Sequence, residues 1–184
     1  MRKDMLVQFV CFETKIDTGE FLQQWERLMN GITGKNKLPE VINKAITKTR
    51  FNYISKHQWP QDDFQFVFKK NRRGTERFAE SRVRVVQAGG YVPVQIEHEQ
   101  NEDDDICNII IFNSSHETDF NVFKKLESKQ KVNIYQAFYE NCMYGSIIEY
   151  FISKEEAPAL HEELKTKFPD LEIVTYEDCP LPVA

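Results

Sequence analysis

The feature that most constrains the fold is an order of strands and helices that recurs on both sides of one acidic run. This run, EQNEDDD at residues 99–105, is highly charged and cannot join an apolar core. On each side of it, the apolar periodicity indicates strand, helix, strand, strand, helix, strand. We therefore predict two units, 1–100 and 106–184, joined by an acidic linker at 101–105.

The first unit begins with a strand and a helix. Apolar residues at helical spacing from Phe21 to Ile32 predict the helix, and Asp17 with Glu20 forms a capping-box-like start. The turn sequence PQDD indicates a hairpin, and the pair Gly89 and Gly90 suggests a bulge or a bend. The predicted elements are a strand at 5–13, a short helix from Pro39, strands at 49–59 and 64–70, a helix at 75–81 and a strand at 83–98.

The second unit repeats this order with clearer signals. Ala157, Leu160, Leu164 and Phe168 lie on one stripe of its second helix, and Pro158 belongs in the first turn. The predicted elements are strands at 106–113, 131–140, 146–153 and 171–178, with helices at 118–128 and 155–168.

The order βαββαβ is typical of the ferredoxin-like fold, an antiparallel sheet with two helices on one face. The strands LVQFVCF and NIIIF are nevertheless apolar at nearly every position, whereas a strand with one solvated face alternates. Both sheet faces must therefore be covered. We predict an α+β protein whose two tandem ferredoxin-like units pack sheet to sheet as an intramolecular α/β barrel.

In element order and burial pattern, the chain resembles a tandem-duplicated member of the dimeric α/β barrel superfamily. The resemblance implies a ligand within the barrel or between sheet and helices. Members of this superfamily include cofactor-independent monooxygenases, isomerases, lactonising enzymes and haem proteins, so the fold leaves the function open.

Composition and net charge limit the classes of binding partner that we expect. The net charge of −5 provides no broad positive field, so nucleic acid and membrane surfaces are not expected. No apolar run reaches the roughly 20 residues that span a bilayer, and the N-terminus has no signal-peptide core, which predicts a cytoplasmic protein. The four cysteines are widely spaced free thiols, and we predict neither a metal site nor a cofactor.

His57 is the first candidate for chemistry. It shares strand parity with Tyr53 and Trp59, which places it on the more aromatic face of its strand, near the strand's end. As a barrel-mouth group it would act as a proton donor or a haem ligand. The alternative is a histidine that simply packs within a hairpin.

A second candidate pair comes from aligning DFQFVFK with IIEYFIS, which sets Gln65 against Glu149. If the all-apolar face of each strand meets the helices, both side chains point into the barrel as polar anchors of an apolar cavity. Burial there raises the expected pKa of Glu149, which would suit a general base. Tyr53, Trp59 and Tyr150 are the predicted ligand-binding neighbours, and solvent exposure of one strand is the alternative.

These residues predict a protein that binds a small, largely apolar molecule in the barrel, with monooxygenase-like or isomerase-like activity. The alternative is a non-catalytic module that uses sheet edges or outer helices for homo-oligomerisation. An RNA-recognition-like domain fits less well, because Asp62 and Asp63 replace the basic residue and glycine expected before Phe64 and Phe66.

Overall fold

A computed structural model describes residues 5–33, 40–62, 82–98, 105–124 and 130–179. The strands are β1 Met5–Thr14, β2 Glu40–Ala45, β3 Tyr53–Pro60, β4 Val83–Ile96, β5 Ile106–Asn113, β6 Lys131–Ala137, β7 Ser146–Ser153 and β8 Glu172–Asp178. The helices are α1 Thr18–Thr33, α2 Asn121–Lys124 and α3 Ala157–Lys167. The predicted strand at 64–70 and helix at 75–81 lie outside the described residues.

The strands close into one antiparallel barrel with the order β1-β3-β2-β8-β5-β7-β6-β4. Each half of the chain contributes four adjacent strands in the same internal order, in which its first strand lies between its third and its fourth. The two halves meet at the seams β2–β8 and β4–β6. The predicted α+β barrel of two ferredoxin-like units is confirmed.

Barrel closure explains why β1 is apolar on both faces. Val7, Phe9 and Cys11 point into the barrel, while Phe12 packs outward with Phe21 of α1. In the second half, Ile110 of β5 points inward and Ile109 packs under α3. Three cores result, one inside the barrel and one beneath each long helix.

Local signals position the two long helices, α1 and α3, as predicted. The Asp17 carboxylate accepts a hydrogen bond from the backbone N–H of Glu20 at 3.0 Å, which caps the start of α1. Pro158 lies in the first turn of α3, where its missing N–H costs no helical hydrogen bond. The predicted stripe of Ala157, Leu160 and Leu164 is buried against the sheet.

The second and third strands of the first half differ from the prediction. Residues 40–45 form β2 instead of a short helix, because EVINKA alternates between an outward Ile42, buried beneath α1, and an inward Asn43. A loop at 46–52 connects β2 to β3, and the two strands pair antiparallel. From Tyr53 to His57 both edges of β3 are occupied, by β1 and β2, so the predicted pairing of this stretch with 64–70 is wrong.

Of the bulge or bend predicted at Gly89 and Gly90, the bulge is misplaced, since both glycines pair in register with β1. The irregularities of β4 lie on either side, opposite Cys11/Phe12 and between Pro93 and Gln95. Gly89 instead makes room inside the barrel. A Cβ there would lie 2.9 Å from the ring of Tyr91.

Gly145, just before β7, provides a test of the packing between loops. A Cβ at this position would lie 2.2 Å from the backbone oxygen of Ser115, which cannot rotate away. We expect Gly145→Ala to lower the free energy of unfolding by about 1–3 kcal/mol, measured by urea denaturation. Gly19→Ala is the control, because its Cβ would meet only the Asp17 side chain at 3.3 Å. Equal stability of the two variants would contradict this packing.

Candidate functional site

The interior of the barrel is divided between two ends of different chemistry. The aromatic end is packed with large rings, namely Phe9, Phe51, Tyr91, Phe112, Tyr144 and Tyr176. The polar end carries smaller amides and a charged pair, namely Asn43, Lys56, Asn108, Asn133 and Glu149, with His98 and Phe151 beside them. An eight-stranded barrel is just wide enough to be filled by side chains or to hold one small ligand. The smaller side chains make the polar end the candidate site.

An ion pair spans the barrel at the polar end. Lys56 Nζ lies 2.6 Å from Glu149 Oε1, and their side chains are 10% and 0% exposed. Lys56 belongs to β3 and Glu149 to β7, which stand four strands apart in either direction around the barrel. The two side chains therefore meet across the interior, and they tie the two halves of the chain together.

Two further side chains hold the Glu149 carboxylate. Asn108 Nδ2 donates to Oε1 at 3.0 Å, and the Tyr135 hydroxyl lies 3.4 Å from Oε2. Burial, and then the negative charge of Glu149, raise the pKa of Tyr135 well above its ordinary value. Tyr135 thus stays protonated and serves as a donor to the carboxylate.

Asn133 fastens the end of β4 over this cluster. Its Oδ1 accepts hydrogen bonds from the backbone N–H groups of Glu97 and His98, each at 3.0 Å. Its Nδ2 donates to the His98 carbonyl at 2.9 Å and to the Tyr135 hydroxyl at 3.2 Å. Asn133 therefore fixes where the His98 ring stands.

Rings border the ion pair on its outer side. The His98 ring lies 4.1 Å from the ring of Phe151, and Lys56 Nζ lies 5.6 Å from the centre of the same Phe151 ring. Burial, and then the positive charge of Lys131, lower the pKa of His98. The imidazole is consequently neutral at pH 7, and an apolar surface lies directly beside the charged pair.

The structure places Glu149 inside the barrel, as the strand alternation predicts, but its catalytic role stays a prediction. Gln65, its predicted counterpart, lies outside the described residues. The strand of the first half that corresponds to β7 is β3, so the alignment of DFQFVFK with IIEYFIS is wrong. The inward residue that meets Glu149 is Lys56.

His57 does not lie at the barrel mouth. Its ring stacks on Trp25 of α1 at 6.0 Å and on Trp59 at 6.4 Å, and its Nε2 lies 2.9 Å from Ser55 Oγ. The predicted position at the mouth is wrong because this face of β3 is the one that α1 covers. The ring is enclosed between α1 and the sheet, and a haem-ligand role for it stays a prediction. A proton-donor role for His57 stays a prediction, apart from the polar end.

The predicted ligand-binding aromatics also lie outside the barrel. The Tyr53 hydroxyl bonds to Thr18 Oγ1 at 2.9 Å, and Trp59 Nε1 donates to Gln8 at 3.1 Å. Tyr150 is fully buried on the α3 side, where its hydroxyl donates to the Phe123 carbonyl at 3.1 Å. The predicted place of all three in a barrel pocket is corrected, because strand parity turns them toward the helices.

The described residues contain no cluster of three or more histidine, cysteine, aspartate or glutamate side chains arranged for a metal ion. Over the same ranges, no helix combines the length and apolarity needed to cross a membrane.

Comparison with known proteins identifies the fold alone. Similar solved structures include variants of the chlorite dismutase of Candidatus Nitrospira defluvii. One, in complex with cyanide, has a TM-score of 0.59 at 7% identity and covers 98% of this chain and 93% of that chain. A second has a TM-score of 0.58 at 8% identity, covering 98% and 94%. No protein-family model matches, and no curated protein matches in sequence.

The ion pair can be tested by removing one partner or both. Glu149→Leu leaves the Lys56 ammonium buried without its counter-charge, and we expect a loss of about 3–5 kcal/mol in the free energy of unfolding. The double variant Lys56→Met/Glu149→Leu removes both charges at similar volume, and should lose far less. Urea denaturation measures both effects.

The control for this test is Arg84→Met, which breaks the exposed pair of Arg84 and Glu13. It should change the free energy of unfolding by less than about 1 kcal/mol. If the double variant were as unstable as Glu149→Leu, the cost would come from lost packing and not from an unpaired charge.

His98 makes stability depend on pH. The pKa of His98 is lower in the folded protein than in the unfolded chain, where it has its ordinary value of about 6.5. As the pH drops below that value, the unfolded chain takes up a proton at this residue before the folded protein does. The free energy of unfolding therefore decreases as the pH decreases. We expect His98→Phe, which keeps the ring beside Phe151, to lose less stability than wild type between pH 7 and pH 5. His116→Gln, in an exposed loop, should follow wild type. If the free energy of unfolding depended on pH in the same way in all three proteins, a contribution of His98 would be refuted.

Proposed function

We propose that this protein binds a small molecule at the polar end of its barrel and exchanges a proton with it through Glu149. The observation that carries the proposal is the buried pair of Lys56 and Glu149. Withdrawing two charges from water costs free energy that their attraction only partly returns, and apolar side chains of similar volume would fill the same space as well or better. Charged groups held in an interior at this cost are typical of functional sites.

The surroundings of Glu149 suit acid–base chemistry. Tyr135 and Asn108 hold the carboxylate in one orientation, and Lys56 supplies a positive charge beside it. A carboxylate in this position can take a proton from an activated C–H or O–H group of the ligand and return it to another atom. The proposed reaction class is therefore isomerisation or another proton transfer that needs no cofactor.

The similarity to chlorite dismutase structures supports a small-molecule site only at the level of the fold. At 7–8% identity it carries no substrate over to this chain. The proposal therefore depends on the residues of the polar end.

The interaction-module alternative receives less support from the described surface. Large exposed apolar side chains are dispersed over β4, α2 and the loops beside the aromatic end: Ile46, Val94, Val122, Phe138 and Met143. Exposed apolar residues that occur singly are normal on a protein surface.

Binding is tested with protein purified without added ligand. We expect native mass spectrometry, together with a fragment screen by ligand-observed NMR, to detect compounds that bind wild type but not Lys56→Met/Glu149→Leu. Tyr176→Phe is the matched control, because it removes an interior hydroxyl that bonds to the Phe51 carbonyl at the aromatic end. A screen without binders, or equal binding to the double variant, would overturn the proposal.

Proton transfer is tested on compounds that bind and carry an acidic C–H, such as ketones. In D2O, wild type should catalyse exchange of that hydrogen, followed by loss of its NMR signal. Glu149→Gln should slow the exchange by about a hundredfold or more, since positioned general bases contribute roughly 10²–10⁴. Undiminished exchange with Glu149→Gln would exclude Glu149 as the base.

A further inference from the structure

Two buried polar atoms at the polar end have no hydrogen-bond partner within the described part of the chain: Asn43 Oδ1 and His98 Nδ1. Asn43 is fully buried, and His98 is 7% exposed. Ile42 packs outward beneath α1, so the alternation of β2 directs Asn43 into the barrel. Both atoms therefore belong to the same end of the barrel as the pair of Lys56 and Glu149.

The orientation of the Asn43 amide is fixed by its neighbour. Its Nδ2 donates to the carboxylate of Asp178 on the adjacent strand β8, which leaves Oδ1 as the atom that no described residue contacts with a donor. A carboxylate cannot donate to Oδ1, so reversing the amide would lose this bond. Asn43 thus presents an acceptor to the interior.

The other two interior amides of the polar end are used within the fold. Asn108 donates to Glu149, and Asn133 uses both of its side-chain atoms on the end of β4 and on Tyr135. A buried acceptor without a donor costs about 1–3 kcal/mol, and native proteins hold few of them. No described residue donates to the Asn43 acceptor, so the donor group of a bound ligand can take that position.

We infer that Asn43 determines ligand specificity by accepting a hydrogen bond from an N–H or O–H group of the ligand. This inference rests on the proposed function and names its ligand class: small, neutral molecules with an apolar ring or chain and one donor group. His98 Nδ1 provides a second contact. The rings of Phe151 and His98 provide an apolar surface for the rest of the molecule.

Charge argues for a neutral ligand. Lys56 and Glu149 already neutralise each other, so an ionic ligand would bring an uncompensated charge into the interior. The Asp178 carboxylate lies directly beside the Asn43 amide and repels an anion. Carboxylates and phosphates are thereby disfavoured against alcohols, phenols and amides.

The test uses three probes that share a ring: phenol, which carries a donor; anisole, in which a methyl group blocks it; and benzoate, an anion. Dissociation constants are measured by NMR titration of the full chain. We expect phenol to bind about fivefold more tightly than anisole, which corresponds to one hydrogen bond of about 1 kcal/mol, and benzoate to bind most weakly. The Asn43 side-chain amide signals should shift with phenol.

Asn43→Leu should bring the ratio of phenol to anisole affinity close to one. Asn141→Leu, in an exposed turn, should leave the ratio unchanged. If Asn43→Leu does not fold, the ratio in wild type and the shift of the Asn43 amide still decide the question. A preference that survives Asn43→Leu, or tightest binding of benzoate, would overturn the inference.

The same titration separates this inference from the proposed function. If all three probes shift the signals of Lys56 and Phe151 with equal affinity, the polar end binds ligands but Asn43 does not select them. If none of them shifts those signals and the fragment screen is also empty, the proposed function fails, and the inference fails with it.

Discussion

The structure depends on the mutual burial of two sheet faces. Each half of the chain has one face covered by its own helix and a second that is covered only when the barrel closes. Closure leaves an interior that must be filled from all eight strands, since voids forfeit packing interactions. Rings fill the aromatic end. The polar end is lined by amides and an ion pair, which cost more to bury than rings do, and that difference marks it as the candidate site.

The ion pair and its surroundings form one network. Lys56 approaches from the first half of the chain, and Glu149, Asn108 and Tyr135 from the second. The pair therefore also fixes how the two halves face each other, as buried polar groups do in some other proteins. A structural and a chemical role are compatible here, because a proton-transfer group must be held still. The acceptor on Asn43, which has no partner among the described residues, is different, since it adds no bond that holds the barrel together.

Much of the fold follows from local patterns in the sequence. The apolar continuity of β1 and β5 requires cover on both faces, and the alternation of β7 turns Glu149 inward. Local patterns do not reveal which strand lies opposite. Lys56 and Glu149 are 93 residues apart, and periodicity gives the face of a residue but not its partner across a barrel.

The errors in the first half have one origin. The turn residues of PQDD favour a hairpin at 60–63, and the short, polar β2 carries little strand signal, so the predicted second and third strands are displaced toward the C-terminus. The displaced prediction therefore sets Gln65 against Glu149, whereas in the structure the inward residue that meets Glu149 is Lys56. His57, Tyr53 and Trp59 are correctly grouped on one face, but that face meets α1, which single-strand parity cannot distinguish from the interior.

The two seams of the barrel are unequal. Within the described residues, β2 and β8 share three registered pairs, whereas β4 and β6 share five. Local opening costs least where the pairing between strands is shortest, so we expect the barrel to open first at β2–β8. Asn43 and Asp178 form one of those three pairs. Asn43, the residue proposed to select a ligand, thus stands at the seam where opening would give the interior access to solvent.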